Sequence, residues 1–314
     1  MIFHFILNPK SGSSYQQKKM EQDIVEGCLK RQLSYHIYYT TKPRDSINYI
    51  QNMIKEYPGE RQRFICVGGD GTVNEIANSA PGNPNVEFGV IPSGSGNDFV
   101  RNFTDKKLFY DIDAQIDGTV HSFDLIKVND YYCANMVNIG FDCAVVIEAD
   151  RFRKYKFLSP SISYILGVVV GFFLRRLGTM MRIILDNGTV IDDKLSLTAI
   201  GNGKFCGGGF HTCPLAKLDD GLLDITVIKK VSRFKFIQLI GCYKDGTFLV
   251  KGSAQKVFKY FRTNHFRMEF DQVQPICIDG EITHAQNVDF TVVPGGFNFV
   301  IPKGSELLYT GIEK

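Results

Sequence analysis

Between residues 2 and 92 strand-like and helix-like stretches alternate without a break, and that alternation is the tightest constraint on how the chain folds. The runs IFHFIL (2–7), YHIYYT (35–40), RFICV (63–67) and EFGVIP (87–92) read as strands. Between them, 15–33 carries Met20, Ile24, Val25 and Leu29 at helical spacing, and 45–57 and 72–80 also read as helices. Strands separated by helices need crossover connections, so a mostly parallel sheet with helices on both faces is expected. From about Phe123 the pattern changes. Strand-like runs dominate (DLIKVN, YYCANMV, MRIILD, LSLTAIGN, LDITVIKK, AQKVFKYF, HFRMEF, PICID, DFTVVP), and turn signals such as Asp186-Asn187-Gly188 and Asp219-Asp220-Gly221 separate some of them. This suggests an antiparallel sandwich or barrel, interrupted by helical stretches near 160–176 and 233–250. The tail GFNFVIPKGSELLYTG is able to pair with either part.

At roughly 150 residues per domain, the 314 residues make one large domain or two ordinary ones. Charged residues are 22% and apolar residues 44%, which excludes a disordered chain. The net charge of +3 comes without a basic stripe, so no nucleic-acid partner is expected. The 25 phenylalanines read first as core filler. Eight cysteines contain no C-x-x-C pair, and six histidines show no H-E-x-x-H spacing, so neither set reads as a metal site. The N-terminal apolar run stops at Asn8-Pro9 without a basic start, which does not read as a secretory leader, and the cytoplasm is the default expectation. The stretch SISYILGVVVGFFL (161–174) is shorter than the ~18–20 residues of a membrane span. It reads either as a helix buried against the sandwich or, flanked by Arg153, Lys154, Lys156, Arg175 and Arg176, as one that docks on an anionic surface.

Two glycine loops carry the chemistry. Gly68-Gly69-Asp70-Gly71-Thr72 follows the strand RFICV and precedes a helix. Its glycines allow close backbone approach, and a helix N-terminus offers free N–H groups to phosphate. Thr72 and Glu75 fit a capping box, with Thr72 as N-cap. Asp70 would repel phosphate unless a divalent cation lies between them, as Mg²⁺ does when it joins carboxylates to substrate phosphates. The second loop, Ser93-Gly94-Ser95-Gly96-Asn97-Asp98, follows EFGVIP in the same way. Ser95 offers a hydroxyl and an N–H, and Asp98 is a second acid near the metal. Neither a P-loop nor a complete dinucleotide fingerprint is present.

These loops, together with NPKSG (8–12), GGDGTVNEIAN (68–78), VIPSGSGNDFVRNF (90–103), FDLIKVN (123–129), NIGFDC (138–143), LDDGLLD (218–224) and IDGE (278–281), resemble the bacterial diacylglycerol kinase-like lipid kinases, related to sphingosine and ceramide kinases. The resemblance runs over nearly the whole chain. It implies an α/β nucleotide-binding domain (1–122), an antiparallel β-sandwich carrying the catalytic base (123–295), a tail returning to the first domain (296–314), and a site in the cleft between them. ATP would contact Asn8, Thr40, Gly68, Gly69, Asp70, Gly71, Thr72 and Ser95. Asp70, Asp98 and Asp124 would hold a catalytic Mg²⁺, and either Asp279 or Glu281 would act as general base. A structural Mg²⁺ is implied at Asp220 with the carbonyls of Lys217 and Leu222. Ser95 stands where threonine is frequent, which keeps the hydroxyl. The implied reaction is phosphorylation of a membrane lipid hydroxyl, diacylglycerol first and a sphingoid base as the alternative, by an enzyme that touches the inner membrane face transiently. NAD phosphorylation fits SGSGND and IDGE less well, and a catalytically silent lipid-binding protein is the rival from another class. A homodimer is left open.

Overall fold

Strand, helix, strand follow each other as the alternation requires: β1 (Ile2–Leu7), α1 (Ser14–Lys30), β2 (Ser34–Tyr39), α2 (Asp45–Glu56), β3 (Gln62–Gly68), α3 (Asp70–Ser79) and β4 (Val86–Pro92). The computed structural model describes residues 1–9, 14–153, 166, 170 and 178–308. All four strands run parallel, in the order β4-β3-β1-β2. Period 2 divides β1 between the faces. Phe3, Phe5 and Leu7 pack with Ile24 and Cys28 of α1 and with Ile112 and Ile116 of α4 (Ile112–Ile116). His4 points the other way, stacks on Phe64 at 4.5 Å between ring centroids, and meets Tyr49 of α2. Every residue of β3 and β4 is buried, as expected of parallel strands covered on both faces.

The chain divides into two units, Met1–Leu125 joined by the chain from Val293, and Ile126–Val292. It passes between them inside two strands, β5 (Thr119–Val128) and a long C-terminal strand. In the first unit the returning chain pairs parallel with β4 at Phe299 and Phe88. There Phe88, Phe99, Phe103, Phe109, Phe123, Phe297 and Phe299 form one fully buried aromatic core. The tail is fastened to the segment after the second glycine loop: Thr104 N–H donates to the Glu306 carbonyl and Leu308 N–H to the Asn102 carbonyl.

The second unit is built from β6 (Tyr131–Cys133), β7 (Met136–Gly140), α5 (Phe141–Arg153), β8 (Thr179–Leu185), β9 (Val190–Gly201), β10 (Phe205–Cys206), β11 (Phe210–His211), β12 (Leu223–Lys229), α6 (Arg233–Asp245), α7 (Gly252–Gln255), β13 (Phe258–Thr263), β14 (His265–Ile278) and β15 (Glu281–Ile301). Its ladders are antiparallel. β9 and β14 flank β8 along one half and β7 along the other, which folds the sheet over a core that includes Ile183, Leu195, Ile225, Phe266 and Phe290. A second cluster lines the opposite side, where Leu239, Cys242 and Tyr243 of α6 pack with Phe248 and Phe258.

Several expectations need correction. Helix α3 begins at Asp70, capped by extended Gly69 without a side-chain hydrogen bond, so Thr72 lies inside the first turn and the capping box does not form. Glu75 instead accepts from the Arg44 N–H and the Ser46 hydroxyl, tying α3 to the start of α2. HFRMEF and PICID are one strand, β14, with an irregularity between Glu269 and Gln274. DFTVVP and the tail are likewise one strand, β15, which runs through Pro294-Gly295-Gly296. Helix α5 had no signal beyond a helical period disguised by Val145, Val146 and Ile147. The expected helix from 233 to 250 ends at Asp245, and the one at 160–176 lies outside the described residues, as does the apolar segment 161–174 apart from Leu166 and Val170.

Candidate active site

The strand order places a topological switch between β1 and β3, and parallel sheets bind ligands beyond the carboxyl ends of such strands. Asn8 follows β1 there, and Thr40 is held beside it by its N–H to the Leu7 carbonyl (2.9 Å). The loop after β3 and the loop after β4 touch. Ser93 N–H donates to the Gly68 carbonyl at 2.9 Å. A Cβ on Gly69 would stand 2.9 Å from Gly94 Cα, and one on Gly94 would stand 2.8 Å from Gly69 Cα, so only glycine allows this approach. Gly68 is equally constrained, because its Cβ would fall 1.8 Å from Thr72 Oγ1. Gly71 and Ser95 are exposed at the rim.

The two acids converge on Gly96. Its open Cβ position lies 2.8 Å from Asp70 Oδ2 and 3.5 Å from Asp98 Oδ2. Asp70 sits in the first turn of α3, where the helix dipole favours a carboxylate, and its Oδ1 accepts the Phe99 N–H at 3.2 Å. Asp98 is buried and pairs with Arg101 Nε at 3.1 Å. Two further residues fix the loop and were not assigned roles from sequence. Asn97, at φ 49°, accepts the Gly94 N–H and donates to the Gly94 carbonyl, while Arg101 donates to the Gly96 carbonyl. Asn97 stood within the motif and Arg101 three residues after Asp98, but only the folded loop shows what they bind. Asp124, buried on β5, accepts the Gly295 N–H at 3.0 Å.

In the second unit Asp279 and Gly280 form the tight turn between β14 and β15, with φ of 47° and 94°. The Asp279 carboxylate is buried and accepts the N–H groups of Ala134, Asn135 and Met136 at 2.8, 3.1 and 2.9 Å, besides the Cys133 thiol. It clamps the β6–β7 connection. Glu281, two residues on, is exposed.

The Asp220 turn is fastened by a hydrogen bond and an ion pair. Asp220 Oδ1 accepts the Leu222 N–H, and Oδ2 pairs with Arg262, whose Nε also reaches Asp224 Oδ1 at 3.1 Å. Arg262 brings one positive charge to the two carboxylates of Asp220 and Asp224, and each Asp220 oxygen keeps acceptor capacity beyond its one partner. We keep a second Mg²⁺ at Asp220, with the carbonyls of Lys217 and Leu222, as a proposal. The pair Asp70 and Asp98 fits the catalytic one, because both point an oxygen at the same space left by a missing Cβ, and Mg²⁺ commonly takes one or two carboxylates with substrate phosphates.

No helix among the described residues is long and apolar enough to cross a membrane. Residues 3–128 match the family model of the diacylglycerol kinase catalytic domain, and residues 135–301 match that of the YegS C-terminal NAD kinase beta sandwich-like domain. A probable lipid kinase YegS-like from Shewanella frigidimarina is 28% identical over 276 residues, covering 86% of this chain and 85% of that protein. A diacylglycerol kinase from Mycobacterium tuberculosis is 32% identical over 183 residues, covering 56% of this chain and 57% of its own. The crystal structure of a putative diacylglycerol kinase from Bacillus anthracis shares the fold, with a TM-score of 0.75 at 22% identity over 96% of each chain. With its touching glycine loops inside the first match and its sandwich inside the second, which alone spans more than half the chain, this protein belongs to the diacylglycerol kinase-like family of lipid kinases.

Proposed function

We propose that this lipid kinase phosphorylates the free hydroxyl of diacylglycerol to phosphatidic acid, with Mg²⁺ held by Asp70 and Asp98. A kinase of this family takes its phosphoryl group from ATP. The reading is carried by the convergence of the Asp70 and Asp98 carboxylates beside Gly96, at the carboxyl ends of β3 and β4. The N–H groups opening α3 and the flexible backbone of Gly69 and Gly71 face the phosphates, with Ser95, Asn8 and Thr40 completing the contacts to ATP. Asp124 would help to hold the metal. Bound there, Mg²⁺ would neutralise charge on the transferring phosphoryl group.

Glu281 takes the proton from the lipid hydroxyl as its oxygen attacks the γ-phosphorus in line and ADP leaves. Asp279 is the poorer base, because three backbone N–H groups already occupy its carboxylate. The test is transfer from labelled ATP in Mg²⁺ to detergent-dispersed diacylglycerol, a sphingoid base and NAD, offered separately. Label in phosphatidic acid is expected. Label only on the sphingoid base overturns the choice of lipid, and label only on NAD overturns the lipid acceptor altogether.

A further inference from the structure

Helix α6 has two apolar faces, and among the described residues only one of them is covered. The helix is well delimited, since Ser232 caps its start by accepting the Lys235 N–H and Gly246 ends it at φ 71°. Phe236, Leu239, Cys242 and Tyr243 recur at helical spacing and are buried against the sandwich. On the opposite side Phe234, Ile237 and Ile240 also recur at helical spacing and are 72%, 55% and 38% exposed. Val250, shortly after the helix, is 65% exposed. An ordinary surface helix carries polar residues on that side, and a large contiguous apolar face turned to solvent marks an interaction surface.

The charge around this face identifies its occupant. Residues 230–251 contain Lys230, Arg233, Lys235, Lys244 and Lys251 against one acid, Asp245. This short segment alone exceeds the +3 of the entire chain. Aromatic and aliphatic side chains within a basic border are the composition of a helix that lies in the headgroup region of an anionic bilayer. We infer that α6 seats the enzyme on anionic membrane surfaces through Phe234, Ile237 and Ile240, with the surrounding lysines drawn to lipid phosphates. The inference rests on the lipid-substrate reading only for its purpose, because docking needs no substrate.

The experiment is co-sedimentation of the full chain with vesicles of phosphatidylcholine alone or mixed with phosphatidylglycerol, neither containing diacylglycerol. The wild type should bind the anionic vesicles, less tightly as salt rises, and bind the neutral ones weakly. The double variant F234S/I237S should lose on the order of tenfold or more in vesicle affinity, from the transfer free energy of two large apolar side chains. Its melting temperature and its turnover of detergent-dispersed lipid should stay those of the wild type. Unchanged vesicle binding by the variant overturns the inference, and so does equal binding to both vesicle types. A wild-type dimer in light scattering that the variant converts to monomer assigns the face to a second copy and overturns it too. Absence of turnover on dispersed diacylglycerol, with vesicle binding intact, would count against the substrate and leave the docking surface standing.

Discussion

Asp279 and Glu281 are separated by one glycine and differ completely in circumstance. Burial with three backbone N–H donors makes Asp279 a fastening, while exposure leaves the Glu281 carboxylate available. Glu281→Gln should therefore lower kcat by roughly 10²–10⁴-fold, the usual worth of a general base, with no change in melting temperature. Asp279→Ala should do the reverse first, since each orphaned buried N–H costs about 1–3 kcal/mol, and thermal unfolding of the purified variant reads that loss. Equal melting of the two variants would remove the distinction drawn between them. At the same scale, Asp70→Asn should abolish turnover and leave circular dichroism unchanged. Asp70 and Asp98 were legible in sequence because a strand, glycines and an acid in order are a local pattern. The division of labour at IDGE was not, because it depends on Ala134, Asn135 and Met136, more than a hundred residues away in the chain.

The paired loops act as one element, and glycine sets their spacing. A Cβ at Gly96 would press on Asp70 Oδ2 from 2.8 Å. Gly96→Ala should thus displace the carboxylate and lower kcat/KM for ATP by more than about tenfold, while melting shifts by little because the loop is at the surface. Titrating Mg²⁺ should show the variant needing a higher concentration for half-maximal rate; an unchanged requirement would separate Gly96 from the metal. At the Asp220 turn the readout is stability. Arg262 offsets only one of the two charges of Asp220 and Asp224, so Mg²⁺ should raise the melting temperature of a nucleotide-free Asp70→Asn protein, and Asp220→Ala should erase that rise. An unchanged melting temperature on adding Mg²⁺ would remove the structural metal. Element lengths were only partly legible. HFRMEF and PICID read as two strands and DFTVVP as one that stops before the tail, yet β14 and β15 each run on; in β15, Gly295 at φ 61° takes up the irregularity and its N–H is satisfied by Asp124. The capping box at Thr72 failed for a related reason: Gly69 starts the helix one turn early and Glu75 is drawn to α2.

Each unit buries a titratable group whose neutral form the fold favours, His4 and Asp224, and the two respond to pH with opposite sign. In the first unit burial, helped by neighbouring His36, lowers the His4 pKa from 6.5 to about 4. The folded state keeps His4 neutral where the unfolded chain binds a proton, so its contribution is present above pH 6.5 and is lost as pH falls toward 4. In the second unit burial pushes Asp224 up from 3.8 to about 6 against the pull of Tyr260 and Arg262. There the folded state holds the proton longer, so stability is fullest below pH 3.8 and is lost as pH rises through about 6. The alternating and sandwich patterns announced both units in the sequence, but neither buried group, since His4 and Asp224 look like ordinary members of their strands. His4→Phe keeps the stack on Phe64 without a proton to bind, and its stability relative to wild type should improve by on the order of 2 kcal/mol between pH 7 and pH 4. Asp224→Asn keeps an acceptor for Tyr260 without a charge to bury, and its relative stability should improve by a similar amount between pH 4 and pH 7. Hydrogen exchange followed at β1 and β12 reads the two units separately. Slopes of the same sign in both would show that these buried groups do not set the pH response of the fold.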